Sequence, residues 1–148
     1  GSFIGVDSMQ NKYDFVRAVI EGITFSFRDI LKIYDQHGQD FDTVVAIGGG
    51  AKSAFWLQLQ ANIFNKKVVS LTNEQGPGLG AAMLAAVGLG WFDSLQDCAK
   101  KFVHFGKAYE PQSEIVKKYD ELYKIYHRIY DQTKDLSHDI MKLRNSWD

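Results

Sequence analysis

The chain has 148 residues, 45% of them hydrophobic and 24% charged, with a formal net charge of -1. That length builds one compact core, not two, and the near-neutral charge excludes a global field drawing nucleic acid or an anionic membrane to it. The single cysteine, Cys98, excludes an internal disulfide; with no apolar run of ~18 residues and no basic-then-apolar leader, the cytoplasm is the expected compartment.

In chain order, Gly1 to Val6 carries apolar Phe3, Ile4 and Val6 and reads as a strand. From Lys12 to Gln36 apolar residues recur at spacings of three and four, from Phe15 and Val16 through Ile23 and Phe27 to Tyr34, which predicts a long helix. His37-Gly38 supplies its stop. Val44 to Ile47 is nearly continuous in apolar character, as in a parallel sheet covered on both faces.

Three glycines, Gly48, Gly49 and Gly50, follow at once, then Ala51-Lys52-Ser53 and an amphipathic helix to Phe64. Asn65-Lys66-Lys67 reads as a turn and Val68 to Leu71 as the next strand. After the break at Gln75-Gly76-Pro77-Gly78 comes a helix of small residues, Gly80 to Ala86, open to close approach by another backbone or a ligand. A shorter helix spans Ser94 to Phe102, with Cys98 expected as a buried thiol among Leu95, Ala99 and Phe102. A long helix runs from Ser113 to about Arg144. Alternating strands and helices predict an α/β sheet, with parallel pairing in its second half. No linker, repeat or low-complexity stretch divides the chain.

The last helix repeats Ile115, Tyr119, Leu122, Tyr126, Ile129, Thr133, Leu136, Ile140 and Leu143 at alternating spacings of four and three. This predicts a helix packed on its own domain, its far end held by a neighbouring region. The alternative is a coiled-coil contact beyond Asp131.

The glycine turn carries the chemical signal. A strand, a turn without side chains and a helix N-terminus in succession let bare backbone and free N–H groups approach a phosphate. Two general phosphate motifs are near misses. Lys52-Ser53 fit a P-loop, but Ala46 and Ala51 stand at its glycines; Gly48 and Gly50 fit a dinucleotide fingerprint, with Glu74 as the following acid, but Ser53 stands at its third glycine. The four histidines show no ligand or triad spacing. Asp7, Asp14 and Glu21 read as solvated acids, so no residue is assigned a catalytic role.

The longer string from Gly48 to Asn62 resembles the adenosine-binding segment of the FGGY carbohydrate kinases, whose pattern is Gly-Gly-Gly-Ala-Lys/Arg-Ser followed by Trp, Gln and Ala-Asp at the same spacing. Glu74 with Leu79 to Gly88 resembles the next signature of that family, Arg17 to Gly22 with Phe27-Arg28-Asp29 the preceding helix, and Gly1 to Gly5 the strand before it. The likeness runs from Gly1 to about Tyr109 and departs at Asn62, where the family has Asp; an altered hydrogen bond is expected there. Within the family, members acting on xylulose are the closer likeness and those acting on gluconate the more distant.

The resemblance implies a partial actin-like, ribonuclease H-like ATPase domain (strand-helix-strand-helix-strand-helix) with a long C-terminal helix. Residues 1–148 would form the C-terminal part of the second, nucleotide-side domain. It implies ATP or ADP with Mg2+ as cofactor, the metal not held by this chain. The N–H groups of Gly49, Gly50 and Ala51 would face phosphate after the turn at Gly48, with Lys52, Ser53 and Ala54 along the adenosine; Trp56 and Gln58 are expected to anchor the helix. The parent would transfer the γ-phosphate of ATP to D-xylulose, giving xylulose 5-phosphate. The sugar-binding domain, the first phosphate loop and the activating aspartate of the family lie upstream, so the chain alone is expected to be inactive. Without the first strands of that sheet an open edge and a bare apolar face are expected, hence weak stability, self-association or a second polypeptide. Competing readings are a gluconate or other sugar kinase, a non-catalytic actin-like nucleotide-binding module, a dinucleotide enzyme, and an interaction module built on the heptad helix.

Overall fold

The computed structural model describes residues 2–72 and 76–147. Helix α1 (Lys12–Gln36) is followed by strand β1 (Thr43–Ala46), a single 3-10 turn (Gly49–Lys52), helix α2 (Ala54–Phe64) and strand β2 (Lys67–Leu71). Helices α3 (Gly76–Gly88) and α4 (Leu95–Phe102), strand β3 (Phe105–Tyr109) and helix α5 (Ser113–Asn145) complete the order. The sheet order is β1-β2-β3. β1 and β2 pair in parallel, Val44 opposite Val68 and Ala46 opposite Ser70, with α2 as the crossover; β2 and β3 pair antiparallel, Val68 opposite Tyr109.

Local chemistry sets the helix ends. Asn11 caps α1 in a capping box: its side chain accepts from the Tyr13 N–H at 2.9 Å, while Asp14 accepts from the Asn11 N–H at 2.8 Å. Gly38, at φ 72°, follows the His37 C-cap. Ser53 caps α2, and Asn65 ends it in the left-handed region at φ 51°.

α2 is the centre of the molecule. Leu57, Leu59, Gln60, Ala61, Asn62, Ile63 and Phe64 are all buried, so beyond its first turn the helix is enclosed on every side and not amphipathic as the sequence predicts. α1 and α5 pack against it, and β2 and β3 close the remainder. Its polar residues are tied down. Asn62 Oδ1 accepts from the Gln112 N–H at 2.9 Å, and its Nδ2 donates to Gln112 Oε1 at 3.2 Å. The second bond needs an amide and joins α2 to the N-cap of α5, a hydrogen bond that an ionised aspartate could not donate.

α5 is held to α1 by a row of tyrosines. Tyr119 donates to Glu21 at 2.7 Å, Tyr123 donates to Asp29, and Tyr126 donates to the Gly22 carbonyl at 3.3 Å. Arg28 reaches Asp120 at 2.5 Å and lies 4.3 Å from the Tyr123 ring centre, a stacking that offsets its buried, unbonded Nη1.

Several expectations need correction. Ser2 to Val6 forms no strand, and Phe3, Ile4 and Val6 are exposed; a segment with no neighbouring strand has nothing to pair its backbone groups with. Phe3 instead meets Phe15 edge-on at 5.2 Å. β3 was not expected at all: Gly106-Lys107-Ala108 has little strand propensity, and the strand exists by pairing with β2. α3 starts four residues before the expected Gly80. Glu21 is no solvated acid, being largely buried between Arg17 and Tyr119; Asp14 is engaged as a cap. Cys98 is buried as expected, under α3.

Candidate functional site

The glycine turn leaves the C-terminal end of β1 and runs into the N-terminus of α2. In open α/β sheets, ligands collect at this end of parallel strands. Gly48 has φ 85° and ψ -175°, a region that essentially only glycine occupies. The chain then winds through one 3-10 turn, in which the Ala51 N–H donates to the Gly48 carbonyl at 3.0 Å and the Ser53 N–H to the Gly50 carbonyl at 3.2 Å. The Ala51 donor is therefore spent inside the turn. The N–H groups of Gly49 and Gly50 make no hydrogen bond among the described residues.

The two later glycines differ in what surrounds them. A Cβ on Gly49 would meet nothing within 4 Å, whereas one on Gly50 would stand 2.8 Å from the Trp56 ring. The turn thus has an open side at Gly49 and a walled side at Gly50. Lys52 and Ala54 are exposed, and Lys52 makes no ion pair among the described residues. Ser53 is half-buried, and its Oγ accepts from the Trp56 N–H at 3.3 Å, leaving the hydroxyl proton to donate elsewhere. Two open backbone donors, a side-chain-free approach and a free ammonium group suit an anion.

Trp56 and Gln58 anchor α2. Trp56 Nε1 donates to Thr24 Oγ1 at 2.9 Å, and Gln58 Nε2 to the Glu110 carbonyl at 2.9 Å. Thr24, wholly buried, is a residue that sequence reasoning missed; its only signal was a hydroxyl on the apolar stripe of α1. Glu74 lies outside the described residues. Among the described residues no group of three or more His, Cys, Asp or Glu side chains stands close enough to hold a metal ion, and no helix is long and apolar enough to cross a membrane.

Beside the turn, an apolar groove of about 320 Å³ runs between α1 and the free edge of β1, lined by Phe27, Ile30, Val45, Ile47, Gly50 and Trp56. Its walls suit apolar side chains, not phosphate.

Residues 1–89 match the model of the C-terminal domain of the FGGY family of carbohydrate kinases. The chain belongs to this family. The xylulose kinase of Bacillus subtilis strain 168 is 48% identical over 146 residues, covering 99% of this chain and 29% of that protein. Likeness to this relative thus continues through α5, beyond the stretch matched by the family model. Among solved structures, ligand-bound xylulose kinase from Lactobacillus acidophilus superposes with a TM-score of 0.84 at 34% identity, over 90% of this chain and 27% of that one. Gluconate kinase from the same organism gives a TM-score of 0.83 at 34% identity and the same coverage. The chain spans less than a third of the length of these FGGY kinases. Its three strands and their helices are a part of their actin-like ATPase fold.

Proposed function

We propose that this chain is the nucleotide-side, C-terminal portion of an ATP-dependent carbohydrate kinase, and that residues 1–148 form the latter part of its second domain. The observation that carries the reading is the Gly48–Lys52 turn at the end of β1, with open N–H groups on Gly49 and Gly50, within a sequence 48% identical to a xylulose kinase.

In this reading the N–H groups of Gly49 and Gly50 hold phosphate oxygens, and the Ala51 backbone closes the turn behind them. Lys52 places a positive charge at its rim, and Ser53 and Ala54 border the adenosine. Bound Mg-ATP supplies the phosphoryl group and the metal that spreads its charge. Phosphoryl transfer is mostly positioning and charge stabilisation, and it needs a base set against both reactants. No residue here is assigned that role, so the chain alone binds nucleotide without turnover. D-Xylulose is the proposed acceptor, at its terminal hydroxyl. The equal likeness to a gluconate kinase structure supports a sugar acid as the second reading.

Exchanging the matching C-terminal segment of the Bacillus subtilis xylulose kinase for this chain tests the proposal. ADP release with D-xylulose is expected from the chimera and none from the isolated chain. A folded chimera that fails to bind Mg-ATP would contradict the reading.

A further inference from the structure

Gly50 and Trp56 compete for one space. A Cβ on Gly50 would lie 2.8 Å from Cζ3, 2.9 Å from Cε3 and 3.4 Å from Cη2 of the Trp56 indole. The backbone of Gly50 does not itself require glycine, since its φ is not positive; the ring does. The ring is not free to swing aside. Its Nε1 donates to Thr24 Oγ1 at 2.9 Å, and Thr24, with no exposed surface, donates in turn to the Ile20 carbonyl at 2.7 Å. Because the hydroxyl proton points along α1, its lone pair is left to receive the indole N–H.

We propose that Trp56 is a positioning residue for nucleotide binding. Pinned to α1 through Thr24, its indole is the wall against which Gly50 rests, and it holds the Gly48–Lys52 turn in its phosphate-accepting shape. The inference rests on the reading of that turn as the phosphate site, and it needs no contact between Trp56 and ligand. Without the wall the turn samples more shapes, and the apparent affinity falls with the competent fraction.

The test is calorimetric titration of the whole chain with Mg-ADP, with circular dichroism melts to establish folding. Gly50→Ala is expected to weaken Mg-ADP about tenfold, and Trp56→Phe alone by a similar factor. The double variant should lose about tenfold and not the roughly hundredfold of two independent effects, because phenylalanine lacks the benzo edge that the new methyl strikes while the bond to Thr24 is not restored. Thr24→Val keeps the shape of the core but removes the acceptor; it should cost roughly fivefold in affinity and, with the indole N–H left unpaired, melt a few degrees lower while still folding. With Trp91 and Trp147 replaced by Phe, both exposed residues, the remaining Trp56 emission should shift on adding Mg-ADP.

If the parent binds but the double variant loses affinity additively, or Thr24→Val binds like the parent, the positioning role is overturned while the phosphate site stands. If the parent does not bind Mg-ADP, the phosphate reading fails and the inference fails with it. The parent titration tells the two failures apart.

Discussion

Three adjacent glycines in this chain have three different physical reasons, and each reason predicts a different mutant. Gly48 is a backbone requirement: at φ 85° and ψ -175° a side chain is strained, and Gly48→Ala should cost about 1–3 kcal/mol of stability, read as a lower denaturant midpoint at unchanged slope. Gly50 is a neighbour requirement set by Trp56. Gly49 has neither, since a Cβ there meets nothing of the chain within 4 Å. Gly49→Ala should therefore leave stability within about 0.5 kcal/mol of the parent while lowering nucleotide affinity, because the methyl would stand on the side of the turn that we propose for phosphate. Unchanged affinity in that variant would move the ligand off this side of the turn.

At the scale of elements, α5 divides into a docked half and a bare half. The docked half is held by Tyr119, Tyr123 and Tyr126, whose phenols ionise less readily than usual. Burial is the main cause for each, reinforced by the hydrogen bond to Glu21 for Tyr119 and to Asp29 for Tyr123, and by the charge of Asp29 for Tyr126. The sign follows. An unfolded phenol ionises near pH 10 and a folded one only above that, so this stabilisation is complete below about pH 10 and is lost as pH rises through the raised folded values. Thermal melts should show a fall in midpoint above about pH 10 that Tyr123→Phe makes shallower; an equally steep fall in the variant would remove Tyr123 from the account. In the bare half, Leu136, Ile140 and Leu143 are exposed. Replacing Leu136 and Ile140 together by Ser should shift the monomer's stability by no more than about 1 kcal/mol, and a larger loss would reveal a partner for the stripe.

The same elements show what was legible in the sequence. α1 was readable because a long apolar stripe runs up to the His37-Gly38 stop, and β1, α2 and β2 because continuous apolar runs flank a glycine turn. The elements misjudged are those whose existence depends on neighbours. β3 is made by pairing with β2, and Ser2 to Val6 fails to be a strand where nothing pairs with it. The candidate turn was legible as a glycine cluster. Its supporting residue Thr24 was not, because a hydroxyl on an apolar stripe gains its meaning only when the Trp56 indole arrives from another helix.

For the whole molecule, β1 is an edge strand with Val45 and Ile47 exposed above an apolar groove. Unpaired backbone groups beside apolar side chains invite another strand. Light scattering of the isolated chain is expected to show self-association or a low, broad melt; a strictly monomeric chain with a sharp, high melt would contradict the unpaired edge. The central claim is that the Gly48–Ala54 segment receives an adenine nucleotide through its backbone. Calorimetric titration of the chain with Mg-ATP, Mg-ADP and NAD tests it most directly. The account predicts saturable binding of the adenosine phosphates in preference to NAD, abolished when Gly50 is replaced by a bulky residue in a chain that still folds. A well-folded chain that binds none of them, or binds them equally well after that replacement, would contradict it.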